Sequence, residues 1–271
     1  MSPGGDRMGR HDPTGRKEHL NRAVSILEGL VGEFPDVPVY RHLLACCYRE
    51  MPPDRPGRGR APNSESLDKA TEILEQLVDD FPEVADYRYD LSKSYAMVQV
   101  YGPFRDRRAV EAAEPRVRKA LDLSEALLAE HPNVPDYAAS NVHILLKLAE
   151  VLRATGKSDD AEAALRKAFT VQSSLATRFP EASSYRVWNA IVQEILAGRL
   201  AERGELEEAR SLLEASIGTL EGLLSAGPGP RHVRGLIVMY HLRLANVLDR
   251  MNQKQAAENA RRRAEELRRE M

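Results

Sequence analysis

The sequence predicts an all-α repeat protein, and three observations carry that expectation. One short phrase recurs five times along the 271 residues. The stretch before each recurrence has apolar residues at helical spacing. Aromatic residues make up only 6% of the chain, while Ala, Leu, Glu and Arg are abundant, a composition that favours helix over sheet.

The phrase first reads Phe34-Pro35-Asp36-Val37-Pro38-Val39-Tyr40-Arg41, and then Phe81-Pro82-Glu83-Val84-Ala85-Asp86-Tyr87-Arg88. It returns as His131-Pro132-Asn133-Val134-Pro135-Asp136-Tyr137-Ala138 and as Phe179-Pro180-Glu181-Ala182-Ser183-Ser184-Tyr185-Arg186. A degenerate copy begins at Gly227 and aligns Val233 with the Tyr positions. The steps between these positions are 47, 50, 48 and 48 residues, a regularity that marks a repeat array.

Before the first phrase, Ala23, Ile26, Leu27, Leu30, Val31 and Phe34 form one continuous helical face, and Ala70, Ile73, Leu74, Leu77, Val78 and Phe81 repeat it. The later copies, Ala120, Leu123, Leu127 and Leu128, then Ala168, Val171, Leu175 and Phe179, keep the register more loosely. The Pro inside each phrase ends that helix, because it cannot donate the next backbone bond and disfavours helix in the residue before it. A second Pro at Pro38 and Pro135 suits the first turn of the following helix. Each phrase is therefore a tight corner between antiparallel helices. The repeated Tyr lies six residues after the Phe or His that closes the preceding helix, so its ring is expected to pack back across the corner.

The other helix of each pair is clearest late in the chain. Leu145, Leu148, Ala149 and Leu152 lead to Gly156, with Ala161 and Ala168 beyond. The matching sets are Gln193, Leu196, Ala197, Leu200, Gly204, Ala209 and Ser216, then His241, Leu244, Ala245, Leu248, Asn252, Ala257 and Ala264. Gly and Asn fall where a helix should stop in a left-handed residue. Ser158, Asp159 and Asp160 are expected to supply a cap and first-turn acids for the next helix.

These positions resemble the tetratricopeptide (TPR) repeat, most closely from about residue 140 onward. A standard repeat has a period of about 34 residues; here the second helix runs about two turns further, to Pro180 after Ala168. This longer form, with its Pro-x-x-x-x-Tyr-Arg corner, is similar to arrays in large planctomycete proteins, often on the carboxy-terminal side of a serine/threonine kinase domain. The resemblance implies a right-handed α–α superhelix, a TPR-like solenoid of about eleven antiparallel helices, whose concave face is lined by the first helix of each pair. It also implies a scaffold for a protein or peptide partner. The alternative is a sensor that changes shape around a ligand or peptide. Aligned on the turn Gly, the concave positions are His143, Leu146, Glu150 and Arg153, then Ile191, Glu194 and Glu202, then Met239, Leu242, Asn246 and Asp249. That mixed apolar and acidic set suits a peptide carrying apolar and basic residues. The Lys/Asn/Arg clamp that some relatives use on a terminal carboxylate is absent.

Residues 1–14 are expected to be a disordered polar segment and residues 15–271 one solenoid. The first element, about Gly15 to Phe34, reads as the second helix of a pair without its first. Surface loops are expected at 51–63 and 101–114, both rich in Pro, Gly or Arg. A polar capping helix is expected at 254–271, with a stripe of Ala257, Ala260, Ala264, Leu267 and Met271.

No catalytic or cofactor chemistry is legible. The kinase signatures, the nucleophile elbow Gly-x-Ser-x-Gly and His-Glu-x-x-His are all missing from the sequence. Lys and Arg total 39 against 41 Asp and Glu, so no global basic field points to nucleic acid. No apolar run approaches the roughly 18 residues of a membrane span, and a cytoplasmic location is expected by default. The two cysteines, Cys46 and Cys47, are helix neighbours that cannot form an ordinary disulfide with each other. His42 and Cys46 are four apart and His232 and His241 nine apart, but neither pair has a third convergent ligand in the sequence, so no metal site is expected.

Overall fold

The computed structural model describes residues 13–52, 64–98, 107–225 and 231–270. They form eleven α-helices, with no strand among the described residues. In chain order these are α1 (Pro13–Glu33), α2 (Pro38–Arg49), α3 (Ser64–Asp80), α4 (Ala85–Ala96), α5 (Arg107–Glu130) and α6 (Pro135–Ala154). They continue as α7 (Ser158–Arg178), α8 (Ser183–Arg203), α9 (Leu206–Ser225), α10 (Arg231–Arg250) and α11 (Lys254–Arg269). The chain divides into two compact units, residues 1–127 and 128–271. In the first, α2 packs on α1 and α3, and α3 on α4; in the second, α6 to α11 pack in sequence. No described helix is long and apolar enough to cross a membrane.

The recurring phrase builds the same corner each time. The N–H of Val37 donates to Phe34 O (3.2 Å), Val84 to Phe81 O (3.1 Å), Val134 to His131 O (3.1 Å) and Ala182 to Phe179 O (3.1 Å). This closes a four-residue turn with Pro as its second residue, where a fixed φ is favourable. The Val or Ala is extended, with φ between −81° and −97°. Its carbonyl accepts the first N–H of the next helix, from Tyr40, Tyr87, Tyr137 or Tyr185, at 3.0–3.2 Å. The Tyr rings pack back as the spacing predicts: the centroids of Phe34 and Tyr40 are 6.3 Å apart, Phe81 and Tyr87 6.2 Å, His131 and Tyr137 5.8 Å, Phe179 and Tyr185 5.8 Å.

The opposite ends of the pairs are equally uniform in the second unit. Gly156 (φ 85°), Gly204 (φ 91°) and Asn252 (φ 59°) are left-handed. The following N–H reaches back five residues, Lys157 to Leu152 O, Glu205 to Leu200 O and Gln253 to Leu248 O, at 2.8–2.9 Å. This wrapped helix end satisfies carbonyls that would otherwise lack donors. It also sets where the next helix starts. Lys157 becomes the capping residue and Ser158 already lies inside α7, so the side-chain cap expected at Ser158 does not form. The first-turn acids Asp159 and Asp160 are in place. Ala161, Ala168, Ala209, Ser216, Ala257 and Ala264 are all at most 1% exposed, and their small side chains let neighbouring helices approach closely.

Two expected boundaries shift. Residues 107–114 belong to α5 and are not loop, because Val110, Ala113, Val117 and Ala120 extend its buried stripe (all 6% exposed or less). Pro115 sits within α5 and forgoes one backbone bond there. Helix α1 already includes Pro13 and Thr14. Residues 1–12, 53–63 and 101–106, parts of the expected disordered segment and loops, lie outside the described residues. In α11 the stripe Ala257, Ala260, Ala264 and Leu267 is buried and the charged residues face outward; Met271 lies outside the described residues.

Candidate functional site

The proposed contact positions fall on α6, α8 and α10, the first helices of the three pairs in the second unit. Their buried sides, Leu145, Leu148 and Leu152, then Leu196 and Leu200, then Leu244 and Leu248, fix which residues turn outward. On that outward side His143, Glu202, Met239, Leu242 and Asn246 are exposed, and Leu146, Glu150, Arg153, Ile191 and Asp249 are partly so. Glu194 differs: it is 5% exposed and buried. Trp188, on α8, is 38% exposed. Its ring meets His143 edge-on, with centroids 4.7 Å apart, and His143 Nδ1 is held 2.8 Å from Ala139 O. Met239 and Leu242 are 37% and 36% exposed, so large apolar side chains recur along this face.

The acidic residues on the same helices are occupied within the chain. Glu150 pairs with Lys147 (2.7 Å), Glu202 with Arg199 and Asp249 with Arg261. Glu194 pairs with Arg243 of α10 at 2.5 Å, and Arg243 lies over Gly198, where an added Cβ would stand 3.5 Å from its guanidinium. Arg250 completes the α8–α10 junction by donating to Ala201 O (2.6 Å) near the end of α8. The acid expected to attract a basic partner is thus largely neutralised by the protein's own cations.

Behind this face lies a polar interior. Tyr240 is 0% exposed and its hydroxyl has no hydrogen-bond partner among the described residues. Burial and the Glu194 charge raise its pKa. Burial also raises the pKa of Glu194, against the pull of Arg243. His241 is held below the usual histidine value by burial, although Glu221 stands 3.6 Å away.

The sequence gives His42 and Cys46 no third convergent group, and here the structure differs. Asp90 of α4 comes within 2.7 Å of His42 Nε2 and 3.5 Å of Cys46 Sγ. This is the one such cluster among the described residues. Among the described residues nothing comparable surrounds His232, which is exposed.

No protein-family model and no curated protein sequence matches the chain. Solved structures of similar fold do. RapI in its apo form aligns with 97% of this chain and 63% of its own, at TM-score 0.62 and 12% identity. BtubC from P. vanneervenii aligns with 96% of this chain and 92% of its own, at TM-score 0.52 and 14% identity. A kinesin light chain from Podosopora anserina with TPR-like repeats aligns over 84% of this chain and 93% of its own, at TM-score 0.47 and 19% identity. This chain therefore spans less than two thirds of RapI. At these identities the likeness is one of fold: an all-helical, TPR-like array of helix pairs.

Proposed function

We propose that the protein is a non-enzymatic interaction scaffold that takes a peptide or partner-protein segment on the outward face of α6, α8 and α10. The observation that carries this reading is the exposure of large apolar and aromatic side chains along this face, with His143 and Met239 at equivalent repeat positions and Trp188 and Leu242 beside them. Rigid aromatic and Met side chains are typical anchors of binding surfaces. Ile191, Leu146 and Asn246 flank them, and Arg153, Glu150, Glu202 and Asp249 form a charged rim around buried Glu194. Helical repeats supply such faces because each pair buries its core against its neighbours and leaves one side open.

The preferred occupant is an amphipathic helix or extended segment with apolar anchors, since the carboxylates of this face already have basic partners. A signalling role beside a kinase, and a cytoplasmic setting, rest on the sequence resemblance and on composition. So does the reading of residues 15–271 as one array, which rests on the repeat spacing.

Trp188 is the single Trp of the chain and an internal reporter. Peptides selected from a display library on the purified chain should shift its fluorescence. Met239→Asp with Leu242→Asp should weaken their binding about 10-fold or more, with helicity retained. Equal binding to this double variant would place the partner site elsewhere. Compaction in small-angle scattering on peptide binding would identify the sensor form of the same site.

A further inference from the structure

We propose that His42, Cys46 and Asp90 form a binding site for a zinc-class divalent cation, which clamps α2 to α4 in the first unit. This site is independent of the face on α6, α8 and α10.

His42 and Cys46 are one helical turn apart, so they present Nε2 and Sγ on the same side of α2. The carboxylate of Asp90 enters between them from α4: Oδ2 lies 2.7 Å from Nε2 and 3.5 Å from Sγ, and the three candidate ligand atoms all fall within 4.8 Å of one another. Around a tetrahedral zinc with bonds of about 2.0–2.3 Å, ligand atoms stand roughly 3.3–3.7 Å apart. The Cys46–Asp90 separation already meets that spacing. The His42–Asp90 contact must open by about half an ångström, as the metal replaces the proton the two share. Zinc binding also requires Cys46 to lose its thiol proton, and both cysteines are free.

The surroundings orient the ligands. Asp90 Oδ1, the oxygen facing away from His42, accepts from Arg49 at 2.6 Å, and Arg49 is itself only 6% exposed. Arg49 also reaches Asp90 O at 3.3 Å. The His42 ring packs edge-on against Tyr87, with centroids 4.9 Å apart. Such outer contacts are what fix a ligand's direction in metal sites. The side chains of His42 and Asp90 are 18% and 12% exposed, which leaves a path for the ion and a fourth position for water. One imidazole, one thiolate and one carboxylate select zinc or cobalt over calcium and magnesium, which prefer all-oxygen sites. Arg49 and Lys93, the latter 3.4 Å from Oδ1, place positive charge beyond the carboxylate and limit affinity.

The test is titration of the reduced full-length chain with cobalt(II), followed by zinc. One equivalent of cobalt should produce thiolate-to-metal charge-transfer absorption, zinc should abolish it, and zinc should raise the thermal midpoint. Cys46→Ser should remove the band, and His42→Gln should weaken binding 10-fold or more, whereas Cys47→Ser should leave both unchanged. Asp90→Asn also breaks the Arg49 ion pair and tests the fold, so His42→Gln and Cys46→Ser carry the assignment, each checked for native circular dichroism. The proposal is overturned if the folded, reduced wild type gives no band. Persistence of the band in Cys46→Ser, or its loss in Cys47→Ser, overturns it equally.

Discussion

His241 shows how one side chain couples this fold to pH. It sits on α10 facing Glu221 of α9 and Arg263 of α11, and neither ring nitrogen has a hydrogen-bond partner among the described residues. Burial, the largest influence, lowers its pKa below the ordinary histidine value; the Glu221 charge opposes that shift and Arg263 adds to it. The unfolded chain therefore takes up this proton first as pH falls. The contribution of His241 to stability is fully present above about pH 6.5 and declines below it, levelling off once pH is below the folded-state value. Denaturant midpoints of the wild type should thus fall between pH ~8 and pH ~5 by more than those of His241→Phe. The difference between the two curves isolates this residue from other ionisable groups such as Glu194, whose pKa burial raises. Parallel curves would show that His241 has the same pKa in the folded and the unfolded chain. The same residue was legible in the sequence as a position in the repeat and as one of two His nine apart. The burial of its ring comes from the packing of three helices, which no local spacing records.

At the scale of the element, the helix ends carry the clearest link from sequence to structure. Gly204 adopts φ 91°, and an added Cβ would meet no atom within 4 Å. The cost of Gly204→Ala is therefore conformational, about 1–2 kcal/mol. Gly204→Asn should recover most of that loss, because Asn252 occupies the corresponding turn at φ 59°. Thermal or chemical unfolding of the two variants measures both. Equal losses for Ala and Asn would mean that this end is not held left-handed in solution. These turns and the Pro corners were readable because their determinants are local: a left-handed residue, a fixed φ, an aromatic six positions on. What was not readable is long-range or rotational. Asp90 reaches His42 from 48 residues away, and Glu194 was placed on the open face although it is buried in an ion pair with Arg243, whose guanidinium lies over Gly198. Neighbouring positions on a helix differ by about 100°, so alignment alone cannot decide which of them a cross-helix ion pair will bury. The start of α5 was misread for a different reason: Gly102, Pro103 and the Arg residues masked the apolar stripe of Val110, Ala113 and Val117.

Over the whole molecule, stability in a repeat array is built from neighbour contacts, so it should follow burial helix by helix. Helix α3 buries Leu67, Ala70, Thr71, Leu74 and Leu77, and in the second unit α6 buries ten residues. Helix α1 carries the same apolar pattern, yet none of its described side chains is buried, and Ile26 is 55% exposed. Its ties to α2 include the Tyr48 hydroxyl donating to Glu28 at 2.5 Å and the Arg16–Glu50 pair at 2.6 Å. The Arg16–Glu50 pair is exposed on both sides, and pairs of that kind stabilise by at most about 1 kcal/mol. Similar sequence patterns should therefore yield unequal protection. In native-state hydrogen exchange the amides of α1 should exchange at least about 10-fold faster than those of α3, which has similar periodicity, because opening α1 exposes far less apolar surface. Salt should widen the gap slightly by screening the Arg16–Glu50 pair. Protection of α1 equal to that of α3 would show that its apolar face is covered in solution, and dilution of the sample would then tell self-association from a partner within the same chain.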